Sequence, residues 1–213
     1  MRTIFEWAGK DDIVPFIVAG NATTKTITGE SADTDVLSNL YSLRMYANDA
    51  ASGKNVTGHV FLPLPIETGF KLTFTCITDV ALADWDLFNA QLYRFDGTNV
   101  NFVAFELYSA FGVTNTIRQI NSSGSWETIS GYTVPAIATV WTDVELIGNF
   151  NATGVDPTYS YLRINDTELT TFADDGQSSA SASRPTLQLL FTWQVDDGAT
   201  RYMFIDRVKL EVF

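Results

Sequence analysis

Cysteine is almost absent from this chain: Cys76 stands alone among 213 residues, so no internal disulfide can form. Histidine is equally scarce. His59 is the sole imidazole, which excludes histidine-rich metal sites and leaves one residue for any catalytic triad. Charge is also thin, at 18% of residues, and it is lopsided: 13 Lys and Arg face 25 Asp and Glu, for a formal net charge of -12. Sequence-independent attraction to phosphate backbones needs clustered cations, so nucleic acid is excluded as an expected partner. No run approaches the roughly eighteen apolar residues of a membrane-spanning helix, and no membrane partner is expected. Met1 is followed by Arg-Thr-Ile-Phe-Glu-Trp, without the apolar stretch and small-residue cleavage site of a secretory signal. Gly-x-Ser-x-Gly, Cys-x-x-Cys and Gly-rich phosphate loops are missing as well.

What remains is apolar and aromatic. Hydrophobic residues make up 46% of the chain, with 15 Phe, 8 Tyr and 5 Trp. With so few charges, the polar surface must come from Thr, Ser, Asn and Gln, which suits neutral partners such as sugars or other protein subunits. Period-two alternation dominates, and no helical period is sustained over a dozen or so residues. It is clearest over residues 69–78, 99–108, 139–150, 186–195 and 202–213. Weaker stretches are residues 3–7, 13–19, 41–47, 56–62, 88–95, 116–120, 126–129 and 159–164. Turn signals such as Asp96-Gly97-Thr98 and Ser123-Gly124-Ser125 separate them. Many strands without crossover helices predict an all-β fold, an antiparallel two-sheet β-sandwich of the jelly-roll type. The expected organisation is a single domain over residues 1–213. Residues 177–183 are low in complexity and read as a mobile loop, and residues 21–28 are similarly polar. Cys76 alternates with Phe70, Leu72 and Phe74 and reads as a small buried hydrophobe.

Several short segments, in order, carry a family resemblance. Ser42-Leu43-Arg44-Met45 looks like an early strand, and Gly69-Phe70-Lys71-Leu72-Thr73-Phe74-Thr75 like a core strand opened by Gly. Trp141-Thr142-Asp143-Val144 and Phe204-Ile205-Asp206-Arg207-Val208-Lys209-Leu210 look like late strands, the last with an Ile-Asp-x-Val-x-Leu pattern. Together they resemble the jelly-roll carbohydrate-binding modules of the lectin-like β-sandwich superfamily. The resemblance is one of fold, and it implies a role for Asp206, which in such modules helps to hold a structural calcium ion. Glu6, Asp11 and Asp12 would supply further oxygen ligands, because first and last strands neighbour in jelly rolls. The alternative role for Asp206 is a hydrogen bond to loop backbone. No other cofactor is expected. Alternation sets Asp206 on one face with Phe204, Val208, Leu210 and Val212, and a buried carboxylate there must be paired.

Asp143 and Glu145 fall on the same side as Trp141, about two residue rises or roughly 7 Å apart. Paired carboxylates beside an aromatic ring are how many glycosidases work. Sandwich-fold glycosidases, however, use a longer ladder of acids, Glu-x-Asp-x-x-Glu, which this chain lacks. A solvated strand face is therefore the default, and enzymatic activity is not expected. Trp141, Trp85 and Trp126 are the candidate platforms for stacking on a glycan. The leading functional expectation is a non-enzymatic phage or viral virion surface protein, a capsid decoration or tail-associated subunit. It would reside in the virion after synthesis in the host cytoplasm, assembled as a homo-oligomer or with other capsid or tail subunits. The alternative is a carbohydrate-binding module or lectin-like glycan binder, and the third reading is a glycan-active enzyme.

Overall fold

The computed structural model of the chain describes residues 1–7, 15–22, 24–30, 42–48, 54–79, 85–110, 112–135, 137, 140–151, 155–169, 176–195 and 201–213. Among these no residue is helical, and sixteen strands carry the fold. In chain order they are β1 (Arg2–Trp7), β2 (Ile17–Ala19), β3 (Thr24–Glu30), β4 (Ser42–Asn48), β5 (Lys54–Leu62), β6 (Gly69–Thr78), β7 (Leu87–Phe95) and β8 (Asn99–Tyr108). They continue as β9 (Thr116–Ile120), β10 (Trp126–Thr133), β11 (Thr142–Asn149), β12 (Thr158–Ile164), β13 (Thr167–Leu169), β14 (Gln177–Ala180), β15 (Thr186–Val195) and β16 (Arg201–Val212). Every pairing is antiparallel. Sheet A runs β13-β12-β11-β6-β16-β4-β3, with β1 also on β16; sheet B runs β10-β9-β8-β7-β15-β5-β2, with β14 also on β8.

The two sheets pack face to face because each strand offers one apolar side. Phe74 on β6 of sheet A sits at the centre, with Phe88, Phe105 and Phe191 of sheet B at centroid distances of 6.0, 6.0 and 5.1 Å. Each such ring, fully buried, contributes about 1.5–3 kcal/mol through area removed from water. Gly58 on β5 shows how close the layers come: a Cβ there would lie 2.8 Å from Ile27 Cδ1, so a larger residue would push the tip of that side chain aside. The antiparallel jelly-roll sandwich read from alternation is the fold observed.

Two local readings need correction, and one strand lies in a tract that the sequence marked only as polar. Residues 24–30 form β3, paired along its length with β4. Gln177–Ala180 forms β14 against β8, where the sequence suggested a mobile loop. Both are rich in small polar residues at a sheet margin, so backbone pairing makes the strand without an apolar stripe. The other correction concerns β16. Its register slips between Asp206 and Lys209, and Arg207 lies in the left-handed region at φ 53°. This β-bulge reverses the alternation: Ile205 opposes Cys76 and Leu210 opposes Leu72, both toward the core. Asp206 opposes Thr75, so it shares the outward side with Phe204 and not with Val208, Leu210 and Val212.

A tyrosine links the two layers. β8 is paired by β7 along one flank, but on the other β14 covers residues 99–102 and β9 covers 105–108. Tyr159 of β12 reaches across the core to that interruption. Its hydroxyl accepts from Ala104 N–H at 3.0 Å and lies 3.0 Å from Ala104 O and 3.1 Å from Ile120 O, either of which can take its proton. Burial raises the pKa of this phenol far above the ordinary value.

Candidate functional site

Sheet B has an outward face whose side chains can be placed in rows from the cross-strand register. One row is Phe61, Gln188, Tyr93 and Phe102. The next is Ile17, His59, Leu190, Gln91 and Ala104. The third runs Thr57, Thr192, Asn89, Glu106 and Arg118. These residues alternate with the core positions Val60, Leu92, Val103 and Leu189, which is why a run of polar side chains looks away from the core.

The face is a network of neutral hydrogen-bonding groups. Tyr93 OH donates to Gln91 Oε1 at 2.7 Å, Gln91 Nε2 donates to Asn89 Oδ1 at 2.7 Å, and Asn89 Nδ2 reaches Glu106 Oε2 at 3.5 Å. Gln188 Nε2 pairs with His59 Nδ1 at 2.6 Å, and the Thr57 and Thr192 hydroxyls are 3.4 Å apart. Burial pushes the Tyr93 phenol up to about 12 and holds His59 below its ordinary pKa, so both stay neutral at physiological pH. The buried glutamate of the face is paired in place. Glu106, 0% exposed, takes Arg118 Nε at 2.7 Å on Oε1, and the guanidinium lies 3.4 Å over the Tyr108 ring with Trp126 at 5.9 Å. Burial raises the Glu106 pKa, and the charge and hydrogen bonds of Arg118 oppose that rise. Flat rings edge the network: Tyr93 stacks on Phe102 at 4.3 Å and 3°, and Phe61, 54% exposed, lies parallel to His59 at 6.3 Å.

The opposite side of the sandwich carries a different feature. A groove of about 710 Å³ opens on sheet A, lined by Thr73, Thr75, Asp143, Glu145, Arg163, Asn165, Asp166 and Arg207, with backbone of Phe74 and Val144 strands beneath. Glu145 is its anchor: Arg163 Nη2 lies 2.9 Å from Oε1, and Lys71 and Tyr161 OH also bind the carboxylate. Burial works to raise the pKa of Glu145, but the hydrogen bonds of Lys71 and Tyr161 and the charges of Lys71 and Arg163 outweigh it, and the carboxyl sits below the usual range. Asn165 Oδ1 accepts from Asp143 N–H at 2.9 Å, and Asn165 N–H donates back to Asp143 O at 2.8 Å, which ties the β12–β13 turn to β11.

The residues singled out from sequence are dispersed. Trp85 is 0% exposed and packs on Trp193 at 5.3 Å, so it belongs to the core and offers no stacking platform. Trp126 is half-buried on sheet B beside Arg118, whereas Trp141 leads into β11 of sheet A, so the three tryptophans share no face. Glu6 is exposed on β1 opposite Lys209, and the register does not bring it to Asp206. Asp11 and Asp12 lie outside the described residues. Asp206 is buried; its Oδ1 accepts the Arg207 N–H at 2.7 Å, and its carbonyl accepts the Thr75 hydroxyl at 3.2 Å. Among the described residues no three His, Cys, Asp or Glu side chains cluster as metal ligands. Asp143 and Glu145 do share the outward side, as alternation requires, but Glu145 is fully engaged. Asn89, Gln91, Gln188, Glu106 and Arg118 were not singled out, although Asn89, Gln91 and Tyr93 are a polar set at period two.

No protein-family model matches the chain, and no curated protein does. Solved structures match in fold. A carbohydrate-binding module of the β-sandwich superfamily is 9% identical with a TM-score of 0.53, over 96% of this chain and 60% of that one. An alginate lyase, Aly36B, in complex with an alginate trisaccharide is 9% identical with a TM-score of 0.56, over 100% of this chain and 99% of the other. The lectin UEA-II in complex with galactose is 11% identical with a TM-score of 0.51, over 92% of each chain. At these identities the likeness is one of fold.

Proposed function

We propose that this protein is a non-enzymatic glycan binder and that the outward face of sheet B receives the sugar. One observation carries the reading: Tyr93, Gln91 and Asn89 form a hydrogen-bonded file of neutral amide and hydroxyl groups, edged by Phe102 and Phe61. A sugar presents hydroxyls that both donate and accept, and C–H faces that lie on flat rings. Side-chain amides supply both roles in one group. The pairing of Arg118 with Glu106 leaves no unpaired cation between them, and the Asp86 carboxylate lies close enough to act on Glu106, which favours a neutral saccharide over a uronate. The absence of catalysis in this proposal rests on the same chemistry, since the two glutamates buried among the described residues, Glu106 and Glu145, are bound to cations. Support also comes from the fold neighbours, a carbohydrate-binding module and a lectin in complex with galactose.

Calorimetric titration with a panel of neutral oligosaccharides tests the proposal. Gln91→Ala and Gln188→Ala are each expected to weaken binding about fivefold, the equivalent of about 1 kcal/mol for one neutral hydrogen bond. Unaltered affinity in both variants, or no binding by the wild type across the panel, would overturn it. A second reading, self-association in a virion coat, draws on the outer strand of sheet B, β2, where Ile17 and Val18 are 60% and 40% exposed. An apolar contact of that kind holds at roughly 1 M salt, where screening shortens to about 3 Å. Sedimentation in low and high salt decides it: a salt-resistant oligomer supports assembly, and a monomer at all concentrations opposes it.

A further inference from the structure

We propose that the groove on sheet A is a second saccharide site, taking a neutral sugar unit through adjacent hydroxyls, so that one molecule can hold two glycan chains on opposite faces. Its volume of about 710 Å³ lies within the roughly 300–1,000 Å³ of small-ligand clefts. Its lining mixes signs: Arg163 and Arg207 supply donors, and Asp143 and Asp166 supply acceptors. An anion would meet the two aspartates, and a cation would meet the two arginines. A neutral vicinal diol satisfies both, because each hydroxyl can accept from a guanidinium and donate to a carboxylate.

The groups are held before any ligand arrives. Arg163 is fixed by Glu145 at 2.9 Å, and Asn165 clamps the turn beside Asp143 through reciprocal bonds of 2.9 and 2.8 Å. Such preorganisation lowers the ordering cost of binding. Arg207 adds the most telling feature. It is exposed, its backbone sits at φ 53° on the bulge, and its guanidinium has no ion pair or hydrogen bond among the described residues. A non-glycine residue in that region is strained, and the bulge that imposes it is what turns Arg207 toward the groove.

Only the bivalency rests on the sheet B reading; the groove stands alone. The experiment uses the full chain and neutral tetrasaccharides of glucose, galactose, mannose and xylose, titrated calorimetrically, with light scattering on the corresponding soluble polysaccharides. The groove variant combines Arg207→Gln with Asp143→Asn, and the sheet B variant combines Gln91→Ala with Gln188→Ala; thermal melting confirms that each is folded. The wild type is expected to titrate two sites and to scatter strongly with polysaccharide through cross-linking. Each variant is expected to titrate one site and lose the scattering. A groove variant identical to the wild type in stoichiometry and scattering overturns this inference and leaves the sheet B reading standing. One site, lost only in the groove variant, supports the groove and overturns sheet B. No binding of any probe by the wild type overturns both.

Discussion

Changing Tyr159 to Phe removes a single oxygen from the middle of the sandwich and leaves the ring in place. The oxygen fills the gap on the flank of β8 between β14 and β9, bonding Ala104 N–H at 3.0 Å and one of two carbonyls at 3.0 and 3.1 Å. No water-facing group stands there to replace it, since Ala104 is 0% exposed and Ile120 3%. A buried backbone group left without a partner costs about 1–3 kcal/mol. Two such groups, offset in part by the hydroxyl no longer being buried, amount to about 3 kcal/mol. For a chain of this size 1 kcal/mol moves Tm by roughly 2–4 °C, so Tyr159→Phe is expected to melt about 6–12 °C lower. Tyr132→Phe is the control. Its hydroxyl makes only a long 3.4 Å bond to Glu168 O, and its loss is expected to shift Tm by under about 2 °C. Calorimetry on the three proteins decides the matter. If Tyr159→Phe melts within about 2 °C of the wild type, the hydroxyl does not stand in for a backbone partner and the reasoning fails.

Three further expectations follow from the buried polar groups. Carbon-13 carboxyl titration is expected to place Glu106 above and Glu145 below ordinary glutamate. For Glu145, the stabilisation is present above the unfolded pKa and is lost as pH falls through the depressed folded value. For Glu106 the sign reverses, because the native state holds that proton more tightly and gains relative to the unfolded chain as pH falls through the raised value; the opposite order of titration would refute both assignments. Burial, and then the charge of Asp143, push the Cys76 thiol far above its ordinary pKa, so a thiol reagent should label it only in denaturant, and stoichiometric labelling of the native protein would contradict that burial. Asp206→Ala is expected to lower stability by about 1–3 kcal/mol, against less than about 0.5 for exposed Asp143→Ala, because it strips the Arg207 N–H of its acceptor at the bulge; equal melting of the two variants would refute that anchoring role.

The long strands were legible because β6, β15 and most of β16 alternate apolar and polar residues, and that alternation is what the core requires, while β8 adds a β-favouring apolar run, Phe102 to Phe105. β3 and β14 were not, since Thr, Ser and Gly at a sheet margin leave no apolar stripe to read. The side on which Asp206 lies was hidden for another reason. Met203, Phe204 and Ile205 are all apolar, so the residues before the bulge do not declare which of them faces the core. Reading backward from Val208 then assigns Asp206 to the wrong side. The sheet B face was legible in fragments only. Trp126 stood out as an aromatic, but Gln91 and Gln188 lie on neighbouring strands almost a hundred positions apart, and only the register, which sets Gln188 opposite Tyr93 and Gln91 opposite Leu190, brings them into adjacent rows. Composition did indicate a neutral polar surface. It could not indicate which sheet would concentrate it.

The strand order also dictates when the molecule can fold. β15 sits between β7 and β5, and β16 between β6 and β4, so each sheet has at its middle a strand made after all the others beside it. Until those segments leave the ribosome, β5, β7, β4 and β6 each present an unpaired backbone edge, the kind of template on which chains aggregate. Domain folding that proceeds from the N-terminus during synthesis is thus closed to this topology. The barrier is the joining of partners more than a hundred residues apart, as with Phe61 and Gln188, which places folding at the slow, highly non-local end of the range. A chain interrupted before β16 would keep every residue of the sheet B face and still lack the middle of sheet A, making it a substrate for quality control and not a smaller binding protein.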